Sequence, residues 1–499
     1  MIVDSDYADI LFQLCESYRE TGQINEALVY LGQASHVYQM LNSDVYYSCI
    51  ERSGKIHNQL GNLDIALNYF REYNQLQIER YKTHSKEKVA GEELALSYQF
   101  LAGVYVSLGN YAEAEQSLNK SKTKLRKLKK RFQENSAIKG ELALSYERFG
   151  EIYQLKGENR RALKAYNSER DIFYDLHIAF PTNRDYKFGL AVAYAKIGEL
   201  KMYSGKHHNA QHFFSLFNNL MIEMCEVHST NVKYRLNLAW SYQFFGMNFI
   251  IENDFNNAYL NFRIMRDEFE KLTKISPNNV EFKNGLATAY AKLGETLTAL
   301  KQYPEASDFF KSRVYILENL CKEYPSYHEF KNNLSCSYSH LGELEGRLDN
   351  LDESLKLHSL EMQLCEELYA DFPTNTEYKL NISIALCKIG NIWLQKKDTM
   401  QAEYFFRKYL AYAEKFLLIE PLNIDFRSNY AEALVLHTAI NYLNSKAQHE
   451  KNYTTARKIF EELYKQSSNP LFKRKSILVN QILSQKADLY RIVNEISNF

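Results

Sequence analysis

Apolar residues in residues 277–324 recur at spacings of three and four. Phe282, Leu286, Ala289, Tyr290, Leu293 and Leu297 make one stripe, and Ala306, Phe309, Phe310, Val314, Leu317 and Leu320 make a second. Such spacing predicts two amphipathic helices, the first about 20 residues or roughly 30 Å long. Small residues facing large ones suit antiparallel helices, because Ala306 lets a neighbour approach and the phenylalanines fill the space beyond.

The same pattern repeats along the chain every 48 residues. Tyr290 has counterparts at Tyr98, Tyr146, Tyr194, Tyr242 and Tyr338, and Gly294 at Gly150, Gly198, Gly246, Gly342 and Gly390. Ala306 has counterparts at Ala66, Ala114, Ala162, Ala210, Ala258 and Ala402, with Ser354 in the remaining place. A fixed period of this size is the signature of stacked supersecondary units, in which each helix pair buries its face against the next.

Punctuation between units carries a start signal. PTNRDYK, PNNVEFK, PTNTEYK and PLNIDFR begin at Pro181, Pro277, Pro373 and Pro421. Proline cannot continue the preceding helix. Asn183, Asn279, Asn375 and Asn423 are placed to cap the next one, and the acid two residues on favours its positive end. The base that follows (Lys187, Arg235, Lys283, Lys331, Lys379 or Arg427) is expected to lie along the helix surface with its charge in water. Gly61, Gly109, Gly157 and Gly205 mark the break between the two helices of a unit.

At the ends the pattern changes. Ala8 to Glu20, with Ile10, Leu11, Leu14 and Tyr18 on one stripe, and Ile24 to Leu41 predict a shortened first pair. Near the other end, Ala456 to Phe460 reads as a second helix, and Pro470 opens a last one whose Lys473, Arg474, Lys475, Lys486 and Arg491 are expected on its outer face. Terminal units of an array need such polar caps.

The run Tyr290-x-x-Leu293-Gly294, then Ala306-x-x-x-Phe310, then Pro325 resembles the tetratricopeptide repeat. Ile197-Gly198, Phe245-Gly246, Leu341-Gly342 and Ile389-Gly390 carry it into other units, so it covers most of the chain. The departures are a period longer than the family's usual one and an aromatic kept as Tyr153, Phe249 and Trp393 but replaced by Lys201, Leu297 and Glu345. The resemblance implies an all-α fold: an α-solenoid, a right-handed superhelix of about ten antiparallel helix pairs plus a C-terminal capping helix. The expected division is a capping pair over 1–46, the repeat array over 47–422, and an irregular last repeat with capping helices over 423–499.

Composition sharpens the functional class. Lys+Arg and Asp+Glu both number 61, so no net field draws the chain to nucleic acid or membrane. The first residues lack a basic and apolar leader, and no apolar run is long enough to span a bilayer. The seven cysteines include no Cys-x-x-Cys pair, which suits a reducing compartment, so a cytoplasmic location is expected.

Phosphate-binding, nucleophile-elbow and zinc-protease motifs are missing, so no enzyme, catalytic residue, metal or cofactor is expected. His207, His208 and His212 cluster, but no carboxylate or cysteine nearby completes a ligand set, and a solvated face is expected.

Two partner-binding surfaces are expected instead. One is the basic run KSKTKLRKLKKR over residues 120–131, with Lys120, Lys122, Lys124, Arg126, Lys127, Lys129, Lys130 and Arg131 around a buried stripe of Leu118, Leu125, Leu128 and Phe132. The other is the concave groove that the resemblance places along the first helices, with Glu151, Glu199, Met202, Tyr203, Gln243, Met247, Glu295, Glu343 and Arg347. The groove glutamates favour a basic or mixed partner segment, unless Lys196, Lys292 and Lys388 neutralise them.

The function expected is a non-enzymatic scaffold or adaptor for a protein or peptide partner. An alternative is the sensor or regulatory arm of a multi-subunit assembly with a caspase-like or nucleotide-binding effector on a separate chain. A third is nucleic-acid binding through the basic run. No membrane partner is expected.

Overall fold

The computed structural model describes residues 5–20, 24–41, 43–133, 135–325, 327–441, 446–484 and 496. Among them the chain forms 21 helices and no strand. It divides within one helix into two compact units, Met1–Phe244 and Phe245–Phe499.

The first unit holds α1 (Ser5–Glu20), α2 (Ile24–Met40), α3 (Val45–Gln59), α4 (Leu63–Thr83), α5 (Lys88–Ser107) and α6 (Tyr111–Arg131). It continues with α7 (Ser136–Leu155), α8 (Asn159–Ala179), α9 (Arg184–Tyr203), α10 (His207–Val227) and the start of α11 (Val232–Ile251). The second unit takes the rest of α11, then α12 (Phe255–Ile275), α13 (Val280–Ala299), α14 (Tyr303–Glu323), α15 (His328–Arg347) and α16 (Leu351–Asp371). It ends with α17 (Thr376–Gln395), α18 (Thr399–Ile419), α19 (Ile424–Ile440), α20 (Lys446–Ser467) and α21 (Pro470–Leu483). From α5 to α19 the odd-numbered helices begin at residues 88, 136, 184, 232, 280, 328, 376 and 424, each 48 after the last. Within each unit, consecutive helices pack against one another, as stacked pairs require.

Capping follows the sequence. The side chains of Asn183, Asn375 and Asn423 each accept from two backbone amides in the first turn, and Asn279 accepts from the amide of Phe282 at 3.1 Å. The base after each cap is structural, but it is anchored and does not simply float its charge in water. Lys283 pairs with Glu323 at 3.0 Å, Lys331 with Glu367 at 3.5 Å and Lys379 with Glu420 at 3.0 Å. Lys187–Glu223 and Arg427–Glu462 do the same. Each pair ties the start of a first helix to the end of the second helix of its own repeat. Arg235 donates to the Ser229 carbonyl at 3.1 Å.

Close approach explains the interior glycines. A Cβ on Gly294 would lie 2.7 Å from Cζ of Phe310, whose ring is 2% exposed. The equivalent glycines meet Tyr166, Phe214, Phe262, His358 and Phe406 in the same way. A Gly294→Ala change gains about 1 kcal/mol of helix propensity. It loses about 1–3 kcal/mol to overpacking, toward the upper end because the ring is enclosed. A net loss of about 1–2 kcal/mol is expected in urea unfolding, with Gly294→Ala/Phe310→Leu recovering most of it; equal midpoints for wild type and single variant would refute the contact.

The break after each first helix needs a left-handed residue. Gly61, Gly109, Gly157 and Gly205 provide it at φ near 71–75°, and Asn253, Lys301, Asp349 and Lys397 adopt it in later copies at φ 59–64°.

Two terminal expectations change. α1 buries Ala8, Leu11 and Cys15 and leaves Ile10 and Leu14 exposed, so its inner stripe is rotated from the one read in the sequence. In α21, Lys475 is 2% exposed and pairs with Glu432 at 2.8 Å, so it belongs to the core and not to a polar outer face. Lys486 and Arg491 lie outside the described residues. All seven cysteines are free.

Candidate functional site

The face built from the first helices of unit 1 carries a cavity of about 460 Å³. Lys55 of α3, Gln99, Phe100 and Gly103 of α5, and Arg148 and Glu151 of α7 line it. Three consecutive first helices contribute because the period brings residues 55, 103 and 151 to the same register. Gly103 leaves the middle open, since a Cβ there would meet nothing within 4 Å.

The cavity's bases are held in place. Arg148 donates to the Gln99 carbonyl at 2.8 Å, reaching from one first helix to the one before it. Lys55 stands 4.7 Å from the Phe100 ring centroid and pairs with Glu51. Gln99, 1% exposed, is fixed by donation to the hydroxyls of Ser145 at 3.2 Å and Ser121 at 3.4 Å.

Beyond the cavity, acids outnumber nearby bases. Burial pushes the Glu147 carboxyl above the ordinary range and neighbouring Glu151 adds to this, while Lys196, Arg148 and Lys233 oppose it. Burial likewise raises Glu199, with Lys196 opposing. Behind them on α8, Glu169 is fully buried, and neither carboxylate oxygen has a hydrogen-bond partner. Its carboxyl is held well above the usual range by burial, then by the charges of Glu147 and Glu151, with Lys196 opposing.

Of the groove residues expected from sequence, Glu151 is exposed in the cavity, Glu199 is half-buried and Tyr203 is exposed. Met202 is 2% exposed and belongs to the core, because its side chain falls on the inner stripe of α9. Gln243, at the end of unit 1, is half-buried. In unit 2, Met247 is half-buried, and Arg347 is exposed with its guanidinium 6.0 Å from the Tyr303 ring centroid.

The unit 2 acids are compensated. Glu295 pairs with Lys292 at 2.7 Å within its own helix, and Glu343 with Lys388 of the next first helix at 2.6 Å. Burial would raise Glu343, yet the Lys388 charge and hydrogen bond keep it below its ordinary value. Lys388 also lies 3.8 Å from Glu361, which pairs with His358 at 2.7 Å. Lys196 of unit 1 forms no ion pair among the described residues, and this separates the two acid sets.

Sequence reading missed the buried charges on the second helices. Glu169, Arg313 and Glu361 occupy one register, held elsewhere by Tyr73, Ser121, Phe217, Met265 and Tyr409. A charge at a mostly apolar register was the available signal.

The basic run forms the second half of α6. Leu118, Leu125 and Leu128 are buried and Phe132 is half-buried. Aromatic rings from neighbouring helices lie among the lysines. Lys124 lies 3.5 Å from the Tyr81 ring centroid, Lys122 4.2 Å from Phe149 and Lys120 5.6 Å from Tyr98. His208 and His212 are exposed, and among the described residues no group of three His, Cys, Asp or Glu could hold a metal ion. No helix among them is long and apolar enough to cross a membrane.

The family model for the tetratricopeptide repeat matches residues 95–123, from within α5 into α6. Among solved structures the chain is similar to the apo form of RapI, with 13% identity and a TM-score of 0.51, over 89% of this chain and 99% of that one. It is also similar to a STAND signal-transduction ATPase with a tetratricopeptide repeat sensor from Pyrococcus horikoshii, with 10% identity and a TM-score of 0.48, over 82% of this chain and 54% of that one. Yeast Tom70 aligns with 14% identity and a TM-score of 0.29, over 96% of both chains. No curated protein matches the sequence. One unit is thus matched by the tetratricopeptide-repeat model, and helix pairs recur along the rest of the chain at the same spacing.

Proposed function

We propose that the protein is a scaffold that binds a protein or peptide partner on the first-helix face of unit 1, and that the bound segment presents a basic side chain there. The cavity between α3, α5 and α7 is the observation that carries this reading. Its floor is partly apolar, its polar groups converge from three helices, and its middle is left open at Gly103. The carboxyls of Glu147, Glu151 and Glu199 support a basic partner segment, since an incoming cation offsets the penalty that burial places on the charged forms of Glu147 and Glu199.

Selection from a random peptide library on the full chain tests it. The selected peptides are expected to carry Lys or Arg beside an apolar residue. Glu151→Lys is expected to weaken them roughly tenfold or more, and Gly103→Phe to block them by filling the cavity. Acidic consensus peptides, or binding indifferent to both substitutions, would remove this face as the site.

A further inference from the structure

The basic run does more than decorate α6. A cleft of about 650 Å³ opens beside it, on the second-helix side of unit 1. Arg126, Lys129 and Lys130 of α6 and Lys139 of α7 form its basic rim. Ile172, Leu176 and Ala179 of α8, with Phe180 beyond, supply an apolar wall. Asp175 is the one acid among its lining residues.

Charge bookkeeping on α6 is lopsided. Among the described residues, none of the eight bases of the run forms an ion pair, whereas Lys187, Lys283, Lys331, Lys379 and Arg427 beside the helix caps do. Four of the eight lie over aromatic rings, Arg126 donates to the Tyr146 hydroxyl at 2.7 Å, and Arg131 donates to the Ser85 carbonyl at 3.3 Å. Lys129 and Lys130 are exposed at the cleft. Packing of α6 is complete with its leucine stripe, so the fold itself does not require these charges.

We infer that this cleft is a second docking site, for an acidic peptide segment that carries one large apolar side chain. The acids meet the Arg126–Lys129–Lys130–Lys139 rim, and the apolar side chain enters against Ile172, Leu176 and Ala179. Nucleic acid fits less well for a physical reason. The rings next to the run, Tyr81, Tyr98 and Phe149, have ammonium groups over them and do not offer free faces for base stacking. A sugar-phosphate strand also leaves the apolar wall unused. The inference rests on the protein-binding reading above for the class of partner, but not on the groove.

Fluorescence anisotropy on the full chain tests it, with a labelled short Asp/Glu peptide bearing one central phenylalanine. The expected result is binding that weakens with added salt and falls roughly tenfold or more in K129E/K130E. Ala179→Trp, which fills the apolar wall and keeps every charge, is expected to weaken it comparably. Both sites are exposed, and matching circular-dichroism melts would confirm that the variants fold. Glu151→Lys is expected to leave this peptide unaffected, so failure of the groove and failure of the cleft are read separately. Equal affinity for a peptide without the phenylalanine, or indifference to K129E/K130E, would overturn the proposal. Tighter binding of single-stranded oligouridine that displaces the peptide would also overturn it. So would a concentration-dependent dimer abolished by K129E/K130E, which would make the occupant a second copy.

Discussion

Lys475→Met is expected to lower stability by about 3–5 kcal/mol. Lys475 and Glu432 are each about 3% exposed and lie 2.8 Å apart between α19 and α21. Removing the cation leaves a carboxylate in a site from which water is excluded. That penalty exceeds what the pair contributes while intact, because two buried charges mainly offset each other's desolvation. The double variant K475M/E432M is therefore expected to recover most of the loss, and to equal or exceed wild type in urea unfolding. A single variant within about 0.5 kcal/mol of wild type would show that the pair is open to water.

Glu169→Met is expected to act in the opposite direction, stabilising the fold by about 1–3 kcal/mol at neutral pH. The wild-type carboxyl has no hydrogen bond and no exposed surface, and methionine fills nearly the same volume with an apolar chain. The pH dependence follows from its raised folded-state value. Between the unfolded value, about 4.3, and the folded one, the folded state holds a proton that the unfolded chain has released. The unfolded state then binds fewer protons, so this group's contribution to stability falls as pH rises through that window. The advantage of Glu169→Met should accordingly be small near pH 5 and grow toward about pH 8. Glu141, Glu147 and Glu199 are raised as well, but they remain in both proteins, so the difference isolates Glu169. A constant difference across pH would mean that Glu169 keeps an ordinary carboxylate value.

This prediction bears on function because Glu169 lies behind the acid-rich face of unit 1. Burial and the charges of Glu147 and Glu151 push its carboxyl toward the neutral form. Glu169→Met is therefore expected to stabilise the fold while leaving the charge of that face largely unchanged wherever the wild-type carboxyl is neutral.

The two proposed surfaces were legible to different degrees. The basic run stood out in sequence because eight charges in one helix exceed what an outer face needs. Its cleft did not, since Lys139, Ile172 and Ala179 come from two other helices. Of the groove residues, Glu151 could be placed by register alone. Lys55 and Gly103 share that register but sit in copies whose other marks are weaker, and they were overlooked. Met202 was misplaced because a helix stripe read by period is uncertain by one residue in each turn, enough to exchange groove for core.

What the sequence determined by itself is the repeat: 48-residue spacing, helix pairs and Asn caps. These features are local or depend on fixed spacing, so one chain of letters contains them. Tertiary structure decided which charges are compensated. Lys388 meets Glu343, Lys475 meets Glu432, and Glu169 meets no donor, although nothing in their composition separates the three acids. The partner of a buried charge comes from a neighbouring helix, and its distance and solvent exposure set the energy.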